Sequence, residues 1–351
     1  MRSPLIDVRQ LTKAARLAGI ALLAVQSACG SLSATTAATP SAAEACHPLQ
    51  VQAKSMTLDV SDTPTAGFHL PPGTQPVGII RDKDGTSVWL LGTGTNSVLH
   101  VLPDGNATQY QLQVSGLGLQ LSQAPDGTVW APEQFRDAIV AIATDGTARE
   151  CSLPAKSLEP YSTSAAADGS VWVAEQRGGA IARLDNGRFT QFPIGVTGAK
   201  GMEVLAAADG GAWFTVDGAP VLGHVSARGQ VERIDIGGSG TSIGLLQTPD
   251  NAVWVADFKG DRVVRVTPDR KLAVWNAPAG AKPQGLALGP AGVVWVTESG
   301  IDHLASVRGG TLEQSFKTGA WPDHLAITSD GWAWFTEYNQ GRLGRVLLPA
   351  T

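Results

Sequence analysis

The residues best placed to do chemistry lie late in the chain. His324 follows Asp323, and an imidazole beside a carboxylate can act as a general base near neutral pH. Gln284 and Glu203 add polar groups, and Tyr161 and Trp321 offer aromatic walls for a ligand. Glu298 and Glu337 are carboxylates of the kind that hold a hard cation such as Mg2+ or Ca2+. The candidate site is therefore His324 and Asp323 as the catalytic pair, Glu203, Gln284, Tyr161 and Trp321 as ligand contacts, and Glu298 and Glu337 as metal ligands. The plainer reading of the pair is that His324 fills a hole and hydrogen-bonds Asp323 or a carbonyl. There is no zinc-ligand spacing, no Gly-rich phosphate loop before a helix and no serine nucleophile elbow. A formal charge of −5 with no basic stripe speaks against nucleic acid as a partner.

A repeat must position these residues. Trp89, Trp130, Trp172, Trp213, Trp254, Trp295 and Trp334 recur at intervals of 39 to 42 residues. A fixed aromatic slot with a period near forty marks a repeat architecture. The last unit runs Pro322-Asp323-His324-Leu325-Ala326-Ile327, Asp330-Gly331, Trp332-Ala333-Trp334-Phe335-Thr336-Glu337, then Arg342-Leu343-Gly344-Arg345-Val346. Such short alternating or β-branched runs, divided by Gly, Asp, Asn and Pro, are antiparallel strands, four per unit. The expected fold is all-β, a seven-bladed β-propeller. The seventh unit ends after its third strand, and the orphan stretch Thr65–Pro71 resembles the fourth strands elsewhere, so an N-terminal strand should complete the last blade and close the ring.

The repeat also ranks the candidates. The tryptophans are core, and His100 and His224 belong to a third-strand series with Ala141, Arg183, Arg265, Ser306 and Arg345. On the face where loops enter the innermost strands, one slot reads Gly78, Gln120, Ser162, Glu203, Gly244, Gly285 and His324, and its neighbour Val77, Leu119, Tyr161, Met202, Ile243, Gln284 and Asp323. Glu203, His324, Gln284 and Asp323 are the departures, at the mouth of a central channel. A third series, Gly92, Glu133, Glu175, Val216, Asp257, Glu298 and Glu337, is mostly acidic. It reads either as strand-end acceptors for backbone N–H groups or as a cation-binding rim.

The unit Trp334-Phe335-Thr336-Glu337 with Leu343-Gly344-Arg345-Val346, and the looser Trp295-Val296-Thr297-Glu298 and Trp172-Val173-Ala174-Glu175, resemble the virginiamycin B lyase (streptogramin lyase) family over residues 65 to 349. The resemblance implies a propeller fold. It also implies an elimination that opens a cyclic depsipeptide at its ester, using Mg2+ and a His base. The positions matching that family's key His residues hold Gln284 and Asp323, and the Glu before Pro-His is matched by Trp321. The pair Pro160-Tyr161 resembles the family's Pro-Tyr pairs.

Residues 1–29 read as an export signal: a basic stretch with Arg2, Arg9, Lys13 and Arg16, an apolar Leu17–Val25, then Gln26-Ser27-Ala28-Cys29-Gly30, which resembles a lipobox with Cys29 as the lipidated residue. Residues 30–63 read as a tether and N-terminal arm, and residues 64–351 as the propeller. With Cys29 lipidated, Cys46 and Cys151 remain as a candidate disulfide in an oxidising compartment. The expected protein is an extracytoplasmic monomer, most simply a membrane lipoprotein and alternatively secreted, that touches the membrane only through its lipid. Its mouth would bind a small molecule or protein. The alternative is a metal-assisted carbon–oxygen lyase or a lactonase-type hydrolase.

Overall fold

The computed structural model describes residues 46–113, 116–198, 200–238, 240–308 and 311–349. Within them the chain forms seven antiparallel sheets, blades 1 to 7, and the helical content is three single 3-10 turns. The innermost strands are Pro76–Arg81, Ser122–Gln123, Pro160–Ala165, Lys200–Ala206, Ser242–Gln247, Pro283–Leu288 and Pro322–Ile327. The fold is the expected seven-bladed propeller.

Every repeat tryptophan is buried on the second strand of its blade. Burying an indole removes some 150–250 Å2 from water, roughly 4–6 kcal/mol as an upper bound. The third-strand series covers these rings. His100 stacks on Trp89 and His224 lies tilted against Trp213, each at 4.3 Å, while Arg183, Arg265 and Arg345 lie over Trp172, Trp254 and Trp334 at 5.3, 5.8 and 4.9 Å. Both histidines are therefore packing residues.

A second repeated device sits nearer the axis. The Thr of the Trp-x-Thr segment takes the amide of its own inner strand and donates to the inner strand of the next blade. Thr215 accepts from Glu203 N and donates to Ile243 O, Thr297 accepts from Gly285 N and donates to Asp323 O, and Thr336 accepts from His324 N and donates to Val77 O. The last of these crosses the seam between blades 7 and 1.

The ring closes as expected. Gly67–His69 is the fourth strand of blade 7, pairing Leu343 with Phe68. Phe68 is buried and stacks on Trp334 at 5.9 Å. Arg342 fixes the closing segment by donating to Ser61 Oγ at 2.8 Å and to Glu337 Oε2 at 2.7 Å.

Residues 46–61 of the arm add strands the repeat does not announce. Cys46–Leu49 pairs the outer edge of blade 2, Gln52–Thr57 that of blade 1 and Asp59–Ser61 that of blade 7. Three blades thus have five strands. These added strands are mostly exposed and polar, so they lack the alternation that marks a half-buried strand. A disulfide joins Cys46 to Cys151 on blade 2. The expected export signal, its Cys29 and residues 30–45 of the expected tether lie outside the described residues.

Candidate functional site

Six inner strands share one irregularity: the register slips within the first residues of the strand. The slips fall at Pro76/Ile79, Pro160/Ser162, Gly201/Val204, Ser242/Leu245, Pro283/Leu286 and Pro322/Leu325. A bulge re-aims side chains and ends regular pairing. In blades 4, 6 and 7 the slip falls beside both candidate slots.

In blades 6 and 7 the re-aimed residues form a hydrogen-bonded line that ends facing a carboxyl group of blade 4. Ser299 Oγ, which shares its one proton between Pro322 O at 2.5 Å and Gln284 Oε1 at 3.0 Å, starts the line; Gln284 Nε2 donates to Asp323 Oδ2 at 2.6 Å, and Asp323 Oδ1 lies 2.5 Å from His324 Nδ1. On the other side of the ring, His324 Nε2 faces Glu203 Oε2 at 3.8 Å. All five residues are buried. Burial works against a charged His324, but the hydrogen bond and charge of Asp323, and then Glu203, outweigh it and push the imidazole up to about 10. Burial raises the Glu203 carboxyl, with His324 pulling it back. The two carboxyl groups thus favour the imidazolium form of His324, with Nδ1 against Asp323 and Nε2 facing Glu203 beyond hydrogen-bond distance. In that form the ring has no lone pair for a general base.

This line divides the channel. Above it is the mouth, a cavity of about 340 Å3 whose walls include Tyr161, Phe258, Trp321 and Tyr338, with Gln284 and Asp323 at its polar end. Leu119, Met202 and Ile243 form an apolar cluster against Tyr161 and Phe258. Below it, Glu203 faces a second cavity of about 400 Å3 on the opposite face.

The rim is set by the residue before each inner-strand proline. Gln75, Glu159, Lys282 and Trp321 all have positive φ, at 46°, 52°, 52° and 61°. Three are held by an aspartate of the preceding blade: Asp137 Oδ1 accepts from Glu159 N at 2.9 Å, Asp261 Oδ1 from Lys282 N at 2.8 Å and Asp302 Oδ1 from Trp321 N at 2.9 Å. These clamps present Trp321 and Lys282 at the rim, where Lys282 Nζ lies 5.1 Å from the Trp321 ring and 5.8 Å from that of Phe258.

The expected site is therefore brought together in part. His324, Asp323, Gln284 and Glu203 meet, and Tyr161 and Trp321 wall the mouth. Glu298 and Glu337 do not join them. Glu298 is buried in blade 6 beside Gln314, and burial raises its carboxyl. Glu337 is buried in blade 7, bonded to Arg342 and to Gly319 N at 2.8 Å. Of their series, Glu175 takes both bonds of Gln191 Nε2, and Asp257 accepts from Gly260 N at 3.1 Å. These carboxylates are acceptors for their own blades, and they do not fit as ligands of a metal ion at the mouth. Among the described residues, the group with metal-ligand spacing is Asp82, Asp84 and His100, at the far end of blade 1. There Asp82 Oδ2 accepts from Trp89 Nε1 at 3.0 Å.

Against known proteins, the sequence model of the virginiamycin B lyase family matches residues 35–256. The chain belongs to this family. A virginiamycin B lyase from Nocardia farcinica (strain IFM 10152) is 32% identical over 136 residues, 38% of this chain. That match spans about half of the relative's length, 47%. A streptogramin B lyase structure superposes with a TM-score of 0.74 at 20% identity, covering 84% of this chain and 97% of that one. A catalytically inactive virginiamycin B lyase from Staphylococcus aureus with quinupristin gives 0.75 at 22% identity, covering 85% and 100%. At such identities the solved structures carry the fold of the family and no residue roles.

Phe258, Lys282, Tyr338 and Ser299 complete the site and are not singled out by the sequence. The first three lie on turns whose composition varies from blade to blade. One signal was available: an Asp in the turn between the second and third strands, at Asp137, Asp261 and Asp302, marks the blades whose neighbours have a clamped rim.

Proposed function

We propose that this member of the virginiamycin B lyase family is an extracytoplasmic ligand-binding propeller that takes its ligand in the aromatic mouth. The observation that carries the reading is the Gln284–Asp323–His324–Glu203 line. It leaves a fixed carboxylate at the floor of the mouth and spends the one imidazole of the site on a buried ion pair. The two positions where the family resemblance implies His residues hold Gln284 and Asp323. An α-proton abstraction would need a group with a free lone pair and a poised pKa, and the imidazole here has neither. Export is part of the proposal, with Cys29 as lipid anchor. The Cys46–Cys151 disulfide supports an oxidising compartment.

A streptogramin B-type depsipeptide tests the reading. Incubated with the purified protein, with and without Mg2+, it should keep its mass while quenching tryptophan fluorescence, and Trp321→Leu should abolish the quench. Ring opening by one catalytic turnover after another would overturn the proposal in favour of a lyase with Asp323 as base. For export, palmitate labelling of the cell-expressed chain should be lost in Cys29→Ser.

A further inference from the structure

We propose that the mouth selects an organic ammonium ion with apolar substituents over neutral or anionic ligands of the same shape. The inference rests on the reading of the mouth as a ligand site and names the class of ligand.

Four aromatic side chains from three blades line one cavity: Tyr161 of blade 3, Phe258 of blade 5, and Trp321 and Tyr338 of blade 7. An aromatic face attracts a cation through its quadrupole when the charge lies within about 6 Å, and several faces around one cavity favour alkylated ammonium ions. The polar groups of the same cavity are Asp323 with Gln284, and Thr93 and Gln134. The field of Asp323 reaches the wall: burial, then the charge of Asp323, then Tyr338, push the Tyr161 phenol up to about 12. Tyr161 therefore stays neutral and keeps an intact ring and hydroxyl toward the ligand. Asp323 is already paired with Gln284 and His324, so the aromatic faces carry the preference for a cation, and a primary ammonium would have more N–H groups to desolvate than Thr93, Gln134 and Gln284 on this otherwise aromatic and apolar wall can satisfy. A quaternary or tertiary ammonium has few or no N–H groups to desolvate.

The protein already shows that two of these rings accept a cation. Lys282 places its ammonium 5.1 Å from the Trp321 centroid and 5.8 Å from that of Phe258. Lys282 does not line the cavity, so it acts as a rim charge that opposes a cationic guest.

The test is calorimetric titration of the full chain with choline, its uncharged isostere 3,3-dimethylbutan-1-ol, and 3,3-dimethylbutanoate. Choline should bind at least about tenfold more tightly than the alcohol, and the carboxylate more weakly than either. The preference should collapse to about twofold in Trp321→Leu. Lys282→Met should tighten choline several-fold and leave the alcohol unchanged. Equal affinity for choline and the alcohol, or tighter binding of the carboxylate, overturns the charge selection while leaving the mouth a ligand site. Failure of all three to bind at about 10 mM, roughly −2.7 kcal/mol, also overturns it. The broader reading falls only if the depsipeptide quench is absent too.

Discussion

His324 Nε2 and Glu203 Oε2 face each other at 3.8 Å across the channel, both buried, while Nδ1 of the same ring lies 2.5 Å from Asp323 Oδ1. One imidazole thus joins blades 4 and 7 and fixes the carboxylate at the floor of the mouth.

Removing that imidazole leaves two buried carboxyl groups facing each other. His324→Gln should destabilise the protein by about 3 kcal/mol, seen as a lower midpoint in chemical denaturation. Unchanged stability would mean that the pair is solvated and that His324 carries little charge.

The sign of the pH dependence follows from the raised imidazole. Its folded pKa of about 10 lies above the unfolded value of 6.5, so between these values the folded state binds more protons than the unfolded state. The stability it contributes is fully present below about pH 6.5 and is lost as pH rises through about 10. Wild type and His324→Gln should therefore converge in stability as the pH is raised. Parallel curves from pH 6 to 10, on the order of the window just named, would contradict the assignment.

Glu133 gives the opposite lesson for a carboxyl group. Burial, followed by the neighbouring Glu150, pushes it up to about 7, and neither of its oxygens has a hydrogen-bond partner. The ionised form is therefore a cost above about pH 7. Glu133→Gln should stabilise the protein by roughly 1–3 kcal/mol at pH 8 and by much less at pH 5, measured by thermal melts at both values.

Glu337 separates a structural carboxylate from a metal ligand. Glu337→Gln weakens a buried bond to Arg342 and should cost about 3 kcal/mol, with ligand quenching at the mouth unchanged in the presence or absence of Mg2+. A Mg2+-dependent loss of binding would restore the metal role.

Reducing the Cys46–Cys151 bridge should lower stability by about 2–5 kcal/mol and speed hydrogen exchange in Gln52–Thr57, the next strand of the arm. Exchange confined to Cys46–Leu49 would show that each arm strand is held independently.

The blades were legible because Trp, Asp-Gly turns and β-branched runs repeat, and the closing strand because Phe68-His69-Leu70-Pro71 resembles other fourth strands. His324, Asp323, Gln284 and Glu203 were legible as breaks in that regularity. Their protonation was not, since it depends on Glu203 arriving from three blades away. For Glu298 and Glu337 the acidic series left two readings open, because a carboxylate three residues after a buried Trp looks the same whether it turns to the axis or to its own blade. The arm strands were hidden because an added edge strand, exposed on both faces, has no period to betray it.

The pairing of Phe68 with Leu343 sets an order in time. Phe68 precedes the first blade and its partner Leu343 lies on the third strand of the seventh, so nearly the whole ring separates them along the chain. A contact between such distant positions forms late, because the chain entropy of joining them is lost before packing rewards it. Until then Phe68 and the face of Trp334 that it will cover stay exposed. That interval is when the risk of aggregation is greatest, and the Cys46–Cys151 bridge, once formed, holds the arm that leads into the seam strand against blade 2.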